Sequence, residues 1–259
     1  MWARLRRSYL ILGCGASFAI FMIGGVFLAL AVIPVCRLLS REPDVRRRRV
    51  QRIISRSFCL QLAFMRLIRV MKECRFRGWE NLRSGGPFLI VANHPTLLDV
   101  VALISRLPEV DCVIKKEVWD HKCMGGAVRG ADYIFNGGAQ FVSQALDRLK
   151  RGHSILLFPE GTRSPLHGLR PFLRGAARLA LESGAKIIPV VIRCDPPFLM
   201  KGQAWWEVPD RPVSLSLDLG TPEEIPLPVG GAESCALRAR ELTASMEDYF
   251  RSKLTYASA

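Results

Sequence analysis

From Tyr9 to Cys36 the chain reads YLILGCGASFAIFMIGGVFLALAVIPVC, without a charged side chain. A helix needs roughly 20 apolar residues to cross the hydrocarbon core of a bilayer, so this stretch suffices for one tilted span and is too short for two. The arginines at 4, 6 and 7 in front of it and the ALA at 29–31 also fit a cleavable signal peptide. Its apolar part exceeds the usual signal length, and an arginine-rich sequence follows at once. Both features favour an uncleaved anchor over residues 1–40. Arg37, Arg41, Arg46, Arg47, Arg48, Arg49, Arg52 and Arg56 lie beyond the span. The more basic flank normally stays in the cytoplasm. The expectation is a single-pass membrane anchor with the rest of the chain facing the cytoplasm.

The net charge of +14 is unevenly placed: residues 1–77 hold 16 of the 37 Lys+Arg and 3 of the 23 Asp+Glu, and the remainder is balanced at 21 against 20. A nucleic-acid-binding domain carries its charge on the folded surface that does the binding. Here the excess sits beside the apolar run, which points to an anionic membrane surface and away from nucleic acid. Residues 41–77 read as a basic amphipathic helix. Ile53, Ile54, Phe58, Leu62, Met65, Leu67 and Ile68 fall at three-and-four spacing, edged by Arg52, Arg56, Arg66, Arg69 and Lys72. Such a stripe suits a headgroup layer or the protein's own core, and periodicity does not choose between them. The 8 cysteines are scattered without metal-ligand spacing and read as small buried residues of a reducing compartment; no metal is expected.

Past Gly78 the pattern changes. Short apolar, β-branched runs at 87–92, 111–115, 132–135, 154–158, 186–192 and 213–219 alternate with helical patterns at 95–106, 138–151, 172–183 and 232–253. Strand followed by helix, repeated, predicts an α/β domain over 78–259, a mixed sheet layered by helices.

In such sheets functional residues gather in loops where strands end. NHPTLLD (93–99) follows one strand, and Pro95 favours a helix start while pushing His94 out of helical geometry. His94 at the helix entry can fold back towards Asp99, although positions five apart within a regular helix point away from one another. An imidazole held by a carboxylate has its tautomer fixed and its cation stabilised, which suits a general base acting on a hydroxyl. FPEGTRS (158–164) follows a second strand. Gly161 allows a tight turn or close approach of a ligand, and Arg163 offers a planar fork for phosphate.

NHxxxxD followed some sixty residues later by FPEGTRS resembles the glycerolipid acyltransferase family, which includes 1-acylglycerol-3-phosphate O-acyltransferases. The likeness covers roughly residues 78–220 and takes in VIKKEVW (113–119), the 169–192 stretch with Pro189, and the membrane-bound N-terminal helices. It implies that His94 is the base and Asp99 its orienting partner, with Glu160, Gly161, Thr162 and Arg163 at the acceptor site. It implies a fatty acyl thioester as donor, on coenzyme A or on an acyl carrier protein, with membrane lipids as partners and no cofactor. One departure stands out. Where the family usually has an arginine after G-x-x-F-I-x, this chain has Asn136 in GADYIFNGG. Either Arg129 or Arg163 supplies that charge, or the acceptor carries no phosphate there. A specialised or phosphate-free acceptor and a non-catalytic lipid-binding role are the alternatives. A hydrolase lacks its G-x-S-x-G elbow.

Overall fold

The computed structural model describes residues 2–138, 140–228 and 234–254. Among them, seven strands form one sheet in the order β1-β7-β6-β2-β5-β3-β4. They are β1 (Met71–Arg77), β2 (Phe88–Ala92), β3 (Asp111–Ile114), β4 (Ile134–Phe135), β5 (Ile155–Leu157), β6 (Lys186–Asp195) and β7 (Val213–Leu219). All neighbours are parallel except β6 and β7, so β1 and β7 run against the other five and the sheet is mixed, as expected. The five strands that run together share a carboxyl edge. There β2 leads into His94, β5 into the 158–164 turn and β6 into the loop at 196–203.

Both faces of the sheet are covered. Ile90 and Ala92 of β2 face one core, which they share with helices α1 (Trp2–Phe27), α2 (Ile33–Leu39), α3 (Pro43–Leu67) and α4 (Asp99–Arg106). Leu89 and Val91 face the other, built on α7 (Phe141–Lys150), α8 (Gly175–Ser183) and α9 (Cys235–Lys253). The short helices α5 (Lys116–Trp119) and α6 (Gly125–Gly130) connect β3 to β4. Burial on two faces explains why the central strands read as unbroken apolar runs. Expected helices at 138–151 and 232–253 appear as α7 and α9; position 139 and positions 232–233 lie outside the described residues.

A π-helical turn at Leu28–Val32 joins α1 to α2, and the stretch Arg4–Leu39 is long and apolar enough to cross a membrane. This helix does not stand apart from the domain. Leu10, Cys14, Leu28, Ile33 and Cys36 are buried in the first core, and contacts run along its length. Tyr9 donates a hydrogen bond to the Ile68 carbonyl, Trp205 lies against Gly15, and Ile33 meets Gly130 so closely that a Cβ there would come within 2.1 Å of it. The outer face, with Leu5, Leu12, Ile20, Ile23, Phe27 and Leu30, is exposed.

The segment at 41–77 also differs from the simple expectation. Ile54, Leu62 and Met65 turn inward onto α4 and the sheet, which leaves Arg52, Arg56 and Arg66 with Leu60 and Leu67 outside. The helix stops at Leu67, and residues 71–77 become the edge strand β1. Arg47, from the middle of the arginine run, is buried and pairs with the fully buried Asp111 at 3.1 Å, where Gln51 also donates at 2.8 Å. One continuous core therefore crosses the expected boundaries at 40 and 78.

Candidate active site

The site lies at the carboxyl edge of β2 and β5. After Ala92 the chain does not enter a helix at Pro95, as the proline suggested; residues 93–98 form a turn and α4 begins at Asp99. Asn93 fixes the start of this turn by donating to the Ile192 carbonyl at 2.9 Å and accepting from its N–H at 2.7 Å. Because Asp99 opens the helix, its carboxylate points back over the turn and not along the barrel. Oδ2 accepts from the Thr96 N–H at 2.9 Å and lies 2.9 Å from His94 Nδ1. The five-residue spacing that would separate two side chains on a helix thus closes a loop.

This geometry assigns the protons. A carboxylate only accepts, so Nδ1 carries the hydrogen and Nε2 keeps a lone pair. Phe158 stacks on the imidazole with ring centroids 4.3 Å apart, fixing its plane. Asp99 is fully buried, and Oδ1 has no hydrogen-bond partner among the described residues. Burial pushes its carboxyl up from 3.8 to about 6, against the pull of the His94 hydrogen bond and charge in the other direction. The result is an imidazole whose orientation and tautomer are fixed by a desolvated carboxylate.

Glu160 has a different place from the one expected. Its Oε1 accepts from the His94 N–H at 3.0 Å and from Ser164 Oγ at 2.6 Å, and its Oε2 accepts from the Arg170 N–H at 3.0 Å. Ser164 N–H in turn donates to the His94 carbonyl at 2.7 Å. Buried and with both oxygens engaged, Glu160 ties the two motif loops together and is not an open acceptor contact. Gly161 turns the loop at φ 66°, the left-handed region that glycine tolerates. Thr162 and Arg163 follow on the same turn, half-buried. Arg163 donates through Nη1 to the Leu199 and Met200 carbonyls at 2.7 and 2.9 Å, so it also anchors the loop after β6. Thr96 Oγ1 holds the same loop by donating to the Phe198 carbonyl at 2.6 Å.

His94, Asp99, Glu160 and Arg163 are thus brought together. Arg129 and Asn136 are not. Asn136 lies beyond β4 on the same edge, three strand spacings or roughly 14 Å from the line of β2. Arg129 lies at the end of α6, and its guanidinium donates to the Trp119 carbonyl. Sequence reasoning passed over Phe158, Ser164 and Asn93, although all three stand inside the quoted motifs. Lys115 lies at the end of β3 on the active edge, with its ammonium 3.8 Å from Glu117.

The chain is similar to known proteins in sequence and in fold. The family model described as Acyltransferase matches residues 73–193. The 1-acyl-sn-glycerol-3-phosphate acyltransferase alpha of Mus musculus is 31% identical over 195 residues, covering 72% of this chain and 65% of that protein. A chloroplastic 1-acyl-sn-glycerol-3-phosphate acyltransferase of Brassica napus is 28% identical over 123 residues, covering 45% of this chain and 36% of that protein. The chain therefore spans less than two thirds of the length of these relatives. The crystal structure of the 1-acyl-sn-glycerophosphate acyltransferase PlsC from Thermotoga maritima superposes with a TM-score of 0.68 at 20% identity, covering 99% of this chain and 100% of that one, and shows the same fold. By sequence, residues 73–193 of this chain are similar to the acyltransferase family.

Proposed function

We propose that this chain is a membrane-bound O-acyltransferase that moves a fatty acyl group from a thioester to the free hydroxyl of 1-acylglycerol 3-phosphate, giving phosphatidic acid. The observation that carries the reading is the His94–Asp99 pair at the carboxyl edge of the sheet, which engages Nδ1 and leaves Nε2 as the free base. The similarity to proteins named for this reaction supports the substrate. Nε2 takes the proton of the acceptor hydroxyl as its oxygen attacks the thioester carbonyl; the C–O bond forms, the C–S bond breaks, and the proton passes to the departing thiolate. The donor, acyl-coenzyme A or an acylated carrier protein, is a substrate, and the residues named need no cofactor for these steps. Asp99 orients the imidazole and stabilises its cation; Glu160 positions the two loops. Arg163, with Lys115 on the neighbouring strand end, supplies positive charge for the acceptor phosphate. Residues 1–40 attach the chain to the membrane through the exposed face of α1 and α2, and the basic flank keeps the domain in the cytoplasm.

The acceptor is tested by kinetics with 1-acylglycerol 3-phosphate and with a monoacylglycerol of the same chain. The phosphate-bearing acceptor should have the higher kcat/KM, and Arg163→Ala should raise its KM about ten- to a hundredfold, the loss of a charge-assisted hydrogen bond. The second reading, a phosphate-free acceptor, is favoured by the uncharged Asn136. It wins if the wild type prefers the monoacylglycerol and Arg163→Ala leaves KM for both acceptors unchanged.

A further inference from the structure

At the other edge of the sheet, α2, α3 and α6 enclose a cavity of about 170 Å³ lined by Arg37, Arg46, Arg47 and Arg129, with Asp132 as its acidic member. It lies by the amino end of β3, where Arg47 meets Asp111, and is separated from His94 by a strand's length, roughly 13–17 Å. Two of the cations have internal partners. Arg47 is held by Asp44 and Asp111, and Arg129 donates one nitrogen to the Trp119 carbonyl. Asp132 is paired with Arg148. The side chains of Arg37 and Arg46 make no hydrogen bond or ion pair among the described residues. Several guanidiniums converging on one small space, with free donors left over, match a doubly charged phosphate.

The surroundings decide where that phosphate comes from. Arg37 stands on the same turns as Val35, Leu38 and Leu39, of which Leu38 is 83% and Leu39 68% exposed, and Val45 flanks Arg46. These residues continue the exposed apolar face of α1 around the corner at Ser40–Glu42. Apolar side chains set beside arginine heads are the arrangement of a membrane interface, where the stems lie among acyl chains and the heads reach phosphates. A soluble anion would gain nothing from the leucines.

We infer that Arg37, Arg46 and Arg129 form a second lipid site, remote from His94, for the phosphomonoester headgroup of an anionic lipid. A phosphomonoester fits better than a diester because nothing beyond the phosphate has to enter the cavity. The inference rests on the membrane attachment proposed above and not on the chemistry of the His94 site.

The test is binding of the full chain to phosphatidylcholine vesicles carrying either phosphatidic acid or phosphatidylserine, adjusted to equal zeta potential. The wild type should prefer phosphatidic acid by roughly tenfold. Arg37→Gln/Arg46→Gln should bring the preference to about one, with no internal hydrogen bond lost. Arg49→Gln/Arg56→Gln, an equal charge change on the exposed face of α3, should keep it. Persistence of the preference in the first pair would assign it to the His94 cleft and overturn the inference. So would an equal loss in both pairs, which marks diffuse charge, or the lack of any preference in the wild type. Displacement from the vesicles by millimolar inorganic phosphate at fixed ionic strength would make the ligand a soluble phosphate and overturn the lipid assignment. A wild type that binds no vesicle at all contradicts the attachment itself.

Discussion

His94→Ala lowers acyl transfer by about 10² to 10⁴, the usual cost of losing a general base, and leaves vesicle binding and the melting temperature close to wild type. The stability half of this expectation comes from the division of labour at position 94. The backbone N–H and carbonyl, and not the ring, hold the two motif loops through Glu160 and Ser164. Alanine keeps both groups. What goes is the imidazole, half-buried between Asp99 and Phe158. Turnover of the purified variant in the vesicles used for the wild type checks it. Activity within tenfold of wild type would mean that another group takes the hydroxyl proton.

Asp99→Asn should be nearly as damaging to turnover, on the order of 10² to 10⁴, because an amide can present the imidazole with the wrong tautomer and does not neutralise its cation. Its effect on stability has the opposite sign. Burial raises the Asp99 carboxyl to about 6 from 3.8. Between about pH 4 and 6 the folded chain therefore holds a proton that the unfolded chain has released, and the stability this group contributes falls as pH rises through that window. At pH 7 the ionised, desolvated carboxylate opposes folding, and asparagine removes that opposition. The variant should melt above the wild type at pH 7, by a margin that shrinks towards pH 4. The wild-type rate should also drop as the pH falls through about 6, where Asp99 takes up its proton. Melting curves and rates measured from pH 4 to 8 check both signs. A variant that melts lower at pH 7 would show that the hydrogen bonds to Thr96 and His94 outweigh the desolvation.

Much of this was legible in the sequence because burial on two faces writes itself as unbroken apolar runs: β2, β3 and β7 lie within a residue of where those runs suggest. The motif loops were legible because asparagine, proline and glycine punctuate strand ends. What failed to show is long-range. Residues 71–77 look like the tail of an arginine-edged helix until β7, more than a hundred residues later, pairs with them. Arg47 is indistinguishable from its neighbours in RRRR, and only the buried Asp111 draws it inside. Arg129 and Arg163 carry the same charge, 35 and 69 residues after the motif histidine, yet one precedes a strand and the other follows one. Glu160 enters the acceptor site only through the family resemblance, and FPEGTRS does not show which groups it binds. Its three donors come from residues 94, 164 and 170.

Direct transfer to the acceptor, with His94 as base and no acylated enzyme, is most simply tested by following thiol release from a palmitoyl thioester with and without 1-acylglycerol 3-phosphate. The wild type should release thiol only when the acceptor is present, one for each phosphatidic acid formed, and His94→Ala should release almost none. Thiol released without acceptor, as a steady rate or as a burst matching the enzyme concentration, would contradict this, since the first marks a hydrolase and the second a covalent intermediate.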